Sequence, residues 1–370
     1  MIELQIDPQK LQKTLDYIDS YWEKIILMPR RHKVRKQVVD SVRMLIGKNT
    51  KTEHDILEVP YAAIVPNNSK YRYIFYWDTY FIFRGLIQTR NEWVIPSMIE
   101  NFVYLFKRHH IIPNFSHPES LGRSQPPFFT SMIFDAYSVL ERDKKITHKI
   151  KRIFHGKKRW LRSHIEVAKE EYQDVWQSPV SFLPTDYNHL VPEYQLNRYG
   201  NRDIGYPQPS EQESGWDMTS RFYNRCNDFL AVDLNSFLYK YESDFARASK
   251  ILNNQKDEEF WHNVAESRKN NMQIFWNEEK GFFYDYDYVH KEQSEFESLA
   301  GFVPMWAGIA SVQQAARMVE KIPQFESNYG LYITSAQSLP PIFDLSIFPK
   351  PFQHTMESIV QPKQWDYPNI

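Results

Sequence analysis

The chain has 370 residues, a formal net charge of −1 and a single cysteine. That length is enough for one large domain or two ordinary ones, and the near-neutral charge points to neither nucleic acid nor an anionic membrane as a partner. One cysteine, Cys226, excludes an intrachain disulfide and a zinc site built on several cysteines, which fits a reducing compartment.

The N-terminal residues Met1 to Lys10 alternate apolar side chains with charged and amide ones, so they do not resemble a secretory leader. No apolar run approaches the roughly 20 residues that a membrane-spanning helix needs. We therefore expect a soluble, cytoplasmic protein.

Apolar residues at three- and four-residue spacing predict a helix from about Lys10 to Ile26 and a second from about Val38 to Ile46. The basic run Arg30 to Lys36 between them is interpreted as a solvated face.

A polar connection then leads to Trp77 and Asp78, which lie at the start of a helical pattern running to about Gln88. A further helix is predicted at about Val94 to Lys107.

The loop from His109 to Gln125 is followed by paired prolines, which suit the first turn of a helix predicted at Phe128 to Leu140. Arg123 and Gln125 would then lie at the mouth of that helix, where they could donate hydrogen bonds to hydroxyl groups.

The second half continues the helical pattern. A long charged helix is predicted at Thr147 to Val175, and the Pro-rich, aromatic segment Ser178 to Gln212 is too long for a bare connector. Further helices are predicted at Phe229–Tyr241, Phe245–Leu252, Phe260–Phe275 and Val312–Ile322. Helices in succession, with no second strand-rich region, predict one all-α toroid over residues 1–370.

Between these helices lies the stretch Glu213 to Phe222, in which Asp217 follows Trp216. Protonating a departing glycosidic oxygen needs a carboxylic acid with a raised pKa, and an apolar aromatic wall raises the pKa of a carboxyl. Asp217 is therefore our candidate for a general acid. The alternative is a helix start, with Ser214 as N-cap, Asp217 in the first turn and Trp216 in the core.

Five motifs carry a family resemblance, and they occur in one order along the chain. They are Tyr76-Trp77-Asp78-Thr79-Tyr80, Arg123-Ser124-Gln125-Pro126-Pro127, Glu213-Ser214-Gly215-Trp216-Asp217, Val232-Asp233-Leu234-Asn235 and Gln364-Trp365-Asp366-Tyr367-Pro368-Asn369. Together they resemble the trehalases of glycoside hydrolase family 37, and the similarity runs from about Leu11 to Ile370. The resemblance implies an (α/α)6 barrel that hydrolyses α,α-trehalose to two glucoses with inversion.

The resemblance also implies roles for individual residues. Asp217 matches the general acid, and Gly215 matches a glycine that lines the pocket. The other matching sugar-binding positions are Trp77, Asp78, Asn114, Arg123, Ser124 and Gln125.

Two sugar-binding positions depart from the family pattern. Arg72 is the nearest candidate for the arginine that normally follows a Pro-Gly-Gly turn, which is here Pro66-Asn67-Asn68. Gln208 and Glu211 stand where the family has Arg-Pro-Glu-Ser. Replacing that arginine with Gln208 removes a forked, charged donor, so the preferred sugar could differ.

The resemblance places the general base after the last motif, whereas the chain ends at Ile370. We therefore expect a barrel that is incomplete at its C-terminus, with the base beyond the chain end. An inverting glycosidase needs two carboxyls, so this expectation bears directly on activity.

Two alternatives stay open: a related α-toroid glucosidase that acts on another short α-glucoside, and a non-catalytic sugar-binding helical protein. We expect a monomer whose partner is a small disaccharide, with no cofactor. No metal is expected either, because His109 and His110 lack a third ligand at metal-binding spacing.

Overall fold

The structure is a computed structural model that describes residues 7–29, 56–69, 71–142, 156–177, 189–200, 209–216, 219–223, 225–327, 330–335 and 338. The chain divides into two compact units. The first comprises Met1–Leu121 and Met132–Trp160, and the second comprises Gly122–Ser131 and Leu161–Ile370.

The first helix, α1 (Pro8–Ile25), confirms the predicted N-terminal helix. Asp7 caps its first turn, because its carboxylate accepts a backbone N–H at 2.9 Å. The predicted apolar stripe stays largely on the surface, since Leu11, Leu15 and Ile18 are 44%, 49% and 40% exposed.

Two further helices complete this part of the first unit: α2 (Tyr76–Leu86) and α3 (Val94–His109), both close to their predicted bounds. Before them, β1 (Ile26–Leu27) pairs antiparallel with β2 (Ala63–Ile64). Asn101 of α3 contacts the residues just before β2, because its amide donates to the carbonyls of Tyr61 and Ala62 at 3.3 and 3.1 Å.

Helix α4 (Phe129–Arg142) confirms the helix predicted after the paired prolines. The long charged helix is described only from α5 (Lys157–Glu171), which continues into a π-helical turn at Tyr172–Gln177. The chain leaves α-helical geometry at Tyr172, three residues before the predicted end.

The described part of the second unit adds five α-helices and several two-residue strands. In chain order these are β3 (Leu190–Val191), β4 (Leu196–Asn197), α6 (Pro209–Ser214), β5 (Phe229–Leu230), α7 (Val232–Ile251), α8 (Gln255–Asn271), β6 (Trp276–Asn277), β7 (Phe282–Phe283), β8 (Tyr286–Asp287), β9 (Glu292–Gln293), α9 (Val303–Ala307), α10 (Val312–Lys321), β10 (Glu326–Ser327) and β11 (Gly330–Leu331). The strands pair antiparallel as β3–β4, β6–β7, β10–β11 and the three-stranded set β5–β8–β9.

Helix α7 corrects two predicted helices, Phe229–Tyr241 and Phe245–Leu252, because one helix runs through both from Val232, while Phe229 and Leu230 form β5. Polar residues between them interrupt the apolar pattern, but Glu242 is buried and is bound through Oε1 by two side chains from outside the helix. Its carboxylate accepts from the Tyr172 hydroxyl at 2.6 Å and from Nε of Arg268, on α8, at 2.7 Å. A buried ion pair thus continues the helix where periodicity alone indicated a break.

The hydrophobic core of the second unit includes Phe282 and Phe283 of β7 and Phe325, which are all buried. The turn between β6 and β7 requires a glycine. Gly281 has φ +64°, and a Cβ there would lie 2.7 Å from Nε of Arg317.

Three predicted features lie outside the described residues: the helix Val38–Ile46, the basic run Arg30–Lys36 and the last motif, Gln364–Asn369. Within the described ranges, no helix combines the length and apolar character needed to cross a membrane.

Candidate active site

The first unit brings three predicted sugar-binding residues together at the start of α2. Trp77 and Asp78 occupy the first turn of this helix and are half-buried, and the carboxylate of Asp78 suits the positive end of the helix dipole. The backbone N–H of Tyr76 donates to the carbonyl of Asn114 at 3.1 Å. Asn114, itself buried, is thereby held against the turn that carries Trp77 and Asp78.

Arg72, four residues before α2, has an exposed side chain. The first unit therefore does not bury Arg72 with Asn114 at the start of α2.

The second unit brings together two of the predicted motifs. Arg123, Ser124 and Gln125 are all buried, with Ser124 fully so. The backbone N–H of Ser124 donates to Oε1 of Glu213 at 3.2 Å, although 89 residues separate them in the chain. This bond joins the predicted sugar-binding run to the segment that contains Gly215.

The segment at Ser214 is a helix end, so the interpretation of Ser214 as an N-cap is wrong. Ser214 is the last residue of α6, and its hydroxyl donates to the carbonyl of Glu211 at 2.6 Å. Gly215 follows with φ +71°, the left-handed conformation in which helices commonly stop. Glu211, a predicted sugar-binding residue, lies in the first turn of α6 and is buried.

Two predicted residues, Asp217 and Gln208, lie outside the described residues. Their roles stay predictions that rest on the family resemblance.

Trp216, the residue before Asp217 in the sequence, is half-buried, and a hydrogen bond fixes its indole. Its indole Nε1–H donates to Oδ2 of Asp233, in the first turn of α7, at 2.7 Å. The ring also packs against the apolar core of the second unit. Trp216 is thus held at both its polar edge and its apolar face.

Arg221, four residues after Asp217 in the sequence, is fully buried between two carboxylates. Its guanidinium binds Asp233 with Nη1 and Nη2 at 2.9 and 2.8 Å, and Asp285 with Nε and Nη2 at 2.8 and 2.7 Å. We name these three residues the Arg221 cluster. Both contacts are two-pronged, the geometry in which arginine binds a carboxylate best.

The Arg221 cluster carries one positive and two negative charges in a site closed to solvent. Burial alone would lower the pKa of Arg221, but the carboxylates of Asp233 and Asp285 outweigh burial and hold this pKa well above its ordinary value. Backbone N–H groups at the start of α7 add a bond to each carboxylate, at 2.8 and 2.9 Å. The charged partners are therefore all hydrogen-bonded.

Sequence pattern alone did not indicate these positioning groups. Asp233 lies inside the motif Val232–Asn235 and Arg221 lies in the stretch Glu213–Phe222, but nothing local indicates that they bind each other. Asp285 lies in an alternation of aromatic and acidic residues, and it is 64 residues from Arg221.

Within the described part of the chain, no group of three or more His, Cys, Asp or Glu side chains is arranged to hold a metal ion. What the described residues do offer is hydrogen-bond donors, carboxylates and indole rings, the groups that bind sugars.

A protein-family model described as Trehalase matches residues 3–370 of the chain. The cytosolic neutral trehalase of Beauveria bassiana is 28% identical over 365 residues, which cover 82% of this chain and 46% of that protein. The cytosolic neutral trehalase of Saccharomyces cerevisiae is 28% identical over 377 residues, covering 85% of this chain and 45% of that protein. The chain thus spans about half the length of the curated relatives it matches.

A solved structure gives the fold. Neutral trehalase Nth1 from Saccharomyces cerevisiae superimposes with a TM-score of 0.71 at 21% identity, over 90% of this chain and 79% of that one. This likeness confirms the predicted fold class, the all-α (α/α)6 toroid.

Proposed function

This chain belongs to the trehalase family, and we therefore propose trehalase activity: hydrolysis of α,α-trehalose to two glucoses with inversion at the cleaved carbon, which also requires the general base that the family resemblance places after the last motif. One observation carries the proposal: the hydrogen bond from Ser124 to Glu213 joins two of the motifs that the family resemblance assigns to sugar binding and acid catalysis.

In this proposal Asp217 is the general acid that protonates the glycosidic oxygen. Support comes from its described neighbours, because Trp216 and Arg221 on either side of it are both bound to Asp233. A segment anchored on both sides limits the positions open to the residue between, as proton transfer to a fixed oxygen requires. The indole of Trp216 supplies the apolar surface that favours a protonated carboxyl.

Each unit, taken by itself, contains residues that the family resemblance assigns to sugar binding. The first unit contributes Trp77, Asp78 and Asn114. The second contributes Arg123, Ser124, Gln125, Glu211 and Gly215, with Arg72 and Gln208 as the further candidates. Asn, Gln and Arg side chains donate to hydroxyl oxygens, and the carboxylates of Asp78 and Glu211 accept from hydroxyl protons.

We also propose a cytosolic location, since the relatives above are named cytosolic neutral trehalases. The proposed partner is the disaccharide alone, bound by a monomer.

The stereochemistry of the product provides a direct test. Inverting cleavage of α,α-trehalose releases one β-glucose and one α-glucose, so proton NMR in the first minutes should show the two anomers in equal amounts. Two α anomers would indicate retention and contradict the proposal. Release of glucose from another α-glucoside but not from trehalose would favour the related glucosidase, and binding of trehalose without cleavage would favour the sugar-binding protein.

The acid is tested with Asp217→Asn, which should lower the rate of glucose release by about 100- to 10,000-fold. The matched control is Asp257→Asn on α8, an exposed position whose rate should stay within twofold of the parent chain, as is usual for surface changes. Equal rates for both variants would rule out Asp217 as the acid.

A further inference from the structure

Glu213 is a buried carboxylate that is contacted by two other stretches of the second unit. Its side chain is 1% exposed. Oε1 accepts from the backbone N–H of Ser124 at 3.2 Å, and Oε2 accepts from the backbone N–H of Gly200 at 2.8 Å. Nε2 of His189 lies 2.8 Å from the same Oε2. A carboxylate oxygen accepts, so a proton on Nε2 of His189 makes this contact a hydrogen bond.

His189 and Gly200 mark the two ends of one hairpin, formed by β3 and β4. His189 immediately precedes β3, and Gly200 follows β4 by three residues. The backbone N–H of Arg198 donates to the carbonyl of His189 at 2.8 Å, which closes the base of the hairpin. The imidazole of His189 also packs on the indole of Trp176, with ring centroids 4.8 Å apart. The β3–β4 hairpin is therefore held at its base, next to its contacts with Glu213.

The acceptor side is equally constrained, because Glu213 lies near the end of α6, two residues before Gly215. A rigid hairpin, the Arg123–Gln125 run and the end of α6 thus meet at one carboxylate. Both Ser124 and Gly200 make this contact through their backbone N–H groups. Glu213 therefore positions backbone, and through it the side chains that the backbone carries.

We infer that Glu213 is a positioning residue for sugar binding, with His189 as its buried partner: together they hold the Arg123–Gln125 run against the segment that contains Gly215. This inference rests on the proposed function, since it assumes that the run contacts the sugar.

The chemistry of an amide makes the inference testable. Glu213→Gln keeps the shape of the side chain but replaces one oxygen by an NH2 group. Because the two backbone N–H donors sit on different oxygens, either orientation of the amide turns an NH2 group towards one of those donors. One of the two backbone contacts is lost in every case.

The experiment measures the Kd for trehalose by titration calorimetry and the melting temperature of each variant. We expect Glu213→Gln to weaken binding by about 10- to 100-fold, as loss of a buried, charge-assisted hydrogen bond does. The control is Glu242→Gln, which alters another buried carboxylate of the same unit, in the middle of α7. This control should melt at a lower temperature and keep its Kd within about twofold of the parent chain.

Two variants at the partner residue keep the inference testable if Glu213→Gln fails to fold. His189→Gln retains an N–H that can donate to Glu213, so its Kd should stay within about threefold of the parent chain. His189→Ala removes the donor and should weaken binding by about tenfold. Recovery in the glutamine variant separates positioning from a general loss of packing.

The outcomes distinguish the inference from the proposed function. If the parent chain does not bind trehalose, the proposed function fails. If the parent chain binds and either Glu213→Gln or His189→Ala binds equally well, only the inference fails. It also fails if Glu242→Gln loses as much affinity as Glu213→Gln, because a general weakening of the fold would then explain both.

Discussion

The second unit contains two buried arginines that contact the same helix, α7, and serve different purposes. Arg221 binds Asp233 at the start of α7, and Arg268 binds Glu242 in its middle. Arg221 belongs to the short segment after Trp216, whereas Arg268 belongs to α8, which packs along α7. The first arginine thus anchors a segment, and the second joins two helices that already have regular structure.

The charge balance differs in the same way. The Arg221 cluster has two carboxylates for one guanidinium. Arg268 binds the carboxylate of Glu242, and its Nη1 donates to the amide oxygens of Asn197 and Asn235, each at 2.9 Å. Neutral oxygens suffice where the arginine joins helices, while a second carboxylate is present where a segment must be held from both sides. We therefore expect the loss of Arg221 to lower both stability and trehalose affinity, and the loss of Arg268 to lower stability alone.

The largest effect is expected for Arg221→Met, which leaves two carboxylates buried without their cation. Breaking a buried ion pair from one side costs about 3–5 kcal/mol of unfolding free energy, and the second carboxylate places this variant at the upper end. Urea denaturation followed by tryptophan fluorescence measures the loss. Trehalose affinity should fall as well, because Asp233 would no longer join Arg221 to Trp216.

The matched control is Arg225→Met, four residues further on. Arg225 also binds carboxylates, those of Asp228 and Asp287, but it is 37% exposed. Asp287 is buried, but it keeps hydrogen bonds from the backbone N–H groups of Val289 and His290. The loss of Arg225 should therefore cost about 1–2 kcal/mol, less than the loss of Arg221. Equal losses for the two variants would mean that burial does not set the contribution of Arg221.

A smaller loss is expected for Arg268→Met, about 3 kcal/mol. Burial already raises the pKa of Glu242, against the opposing effect of Arg268, so Glu242 can take up a proton when the arginine is gone. A carboxyl with a raised pKa favours the folded state when protonated, so the deficit should be smallest at low pH and grow as the pH rises. Denaturation between pH 5 and pH 8 would measure this trend.

Trehalose affinity sharpens the comparison further. Because Arg268 joins two packed helices, Arg268→Met should bind trehalose within about twofold of the parent chain. A tenfold loss of affinity would place Arg268 with Arg221 among the groups that hold the site.

The smallest effect concerns a third buried carboxylate, Glu297, whose charged partner is Lys321. Burial would raise its pKa, but hydrogen bonds from Tyr284 and Ser335, at 2.6 and 2.8 Å, and the ammonium of Lys321 outweigh burial and lower it. A carboxylate with a lowered pKa stabilises the fold above its unfolded pKa, about 4.3, and this contribution is lost as the pH falls through the folded value.

Glu297→Gln should therefore be less stable than the parent chain by about 1–2 kcal/mol at pH 7, and the difference should shrink as the pH falls below about 4. The control Glu295→Gln changes an exposed side chain two residues away and should stay within about 0.5 kcal/mol of the parent chain. A difference for Glu297→Gln that does not change with pH would contradict the assignment.

Sequence pattern was most reliable where one helix has one apolar face. The bounds of α2, α3 and α10 follow periodicity closely. The pattern failed in α7, where buried polar side chains with tertiary partners replace apolar ones. It failed again at Ser214, since a serine followed by an aspartate is compatible with either end of a helix until the conformation of Gly215 is known.

By itself, the sequence determined the helical class and the order of the motifs, because periodicity and motif spacing are local properties of a chain. Only the tertiary structure decided that Arg221 binds Asp285 across 64 residues and that Ser124 binds Glu213 across 89. The physical reason is that a buried charge must find its partner wherever folding brings one within about 3 Å, and no local pattern records that distance.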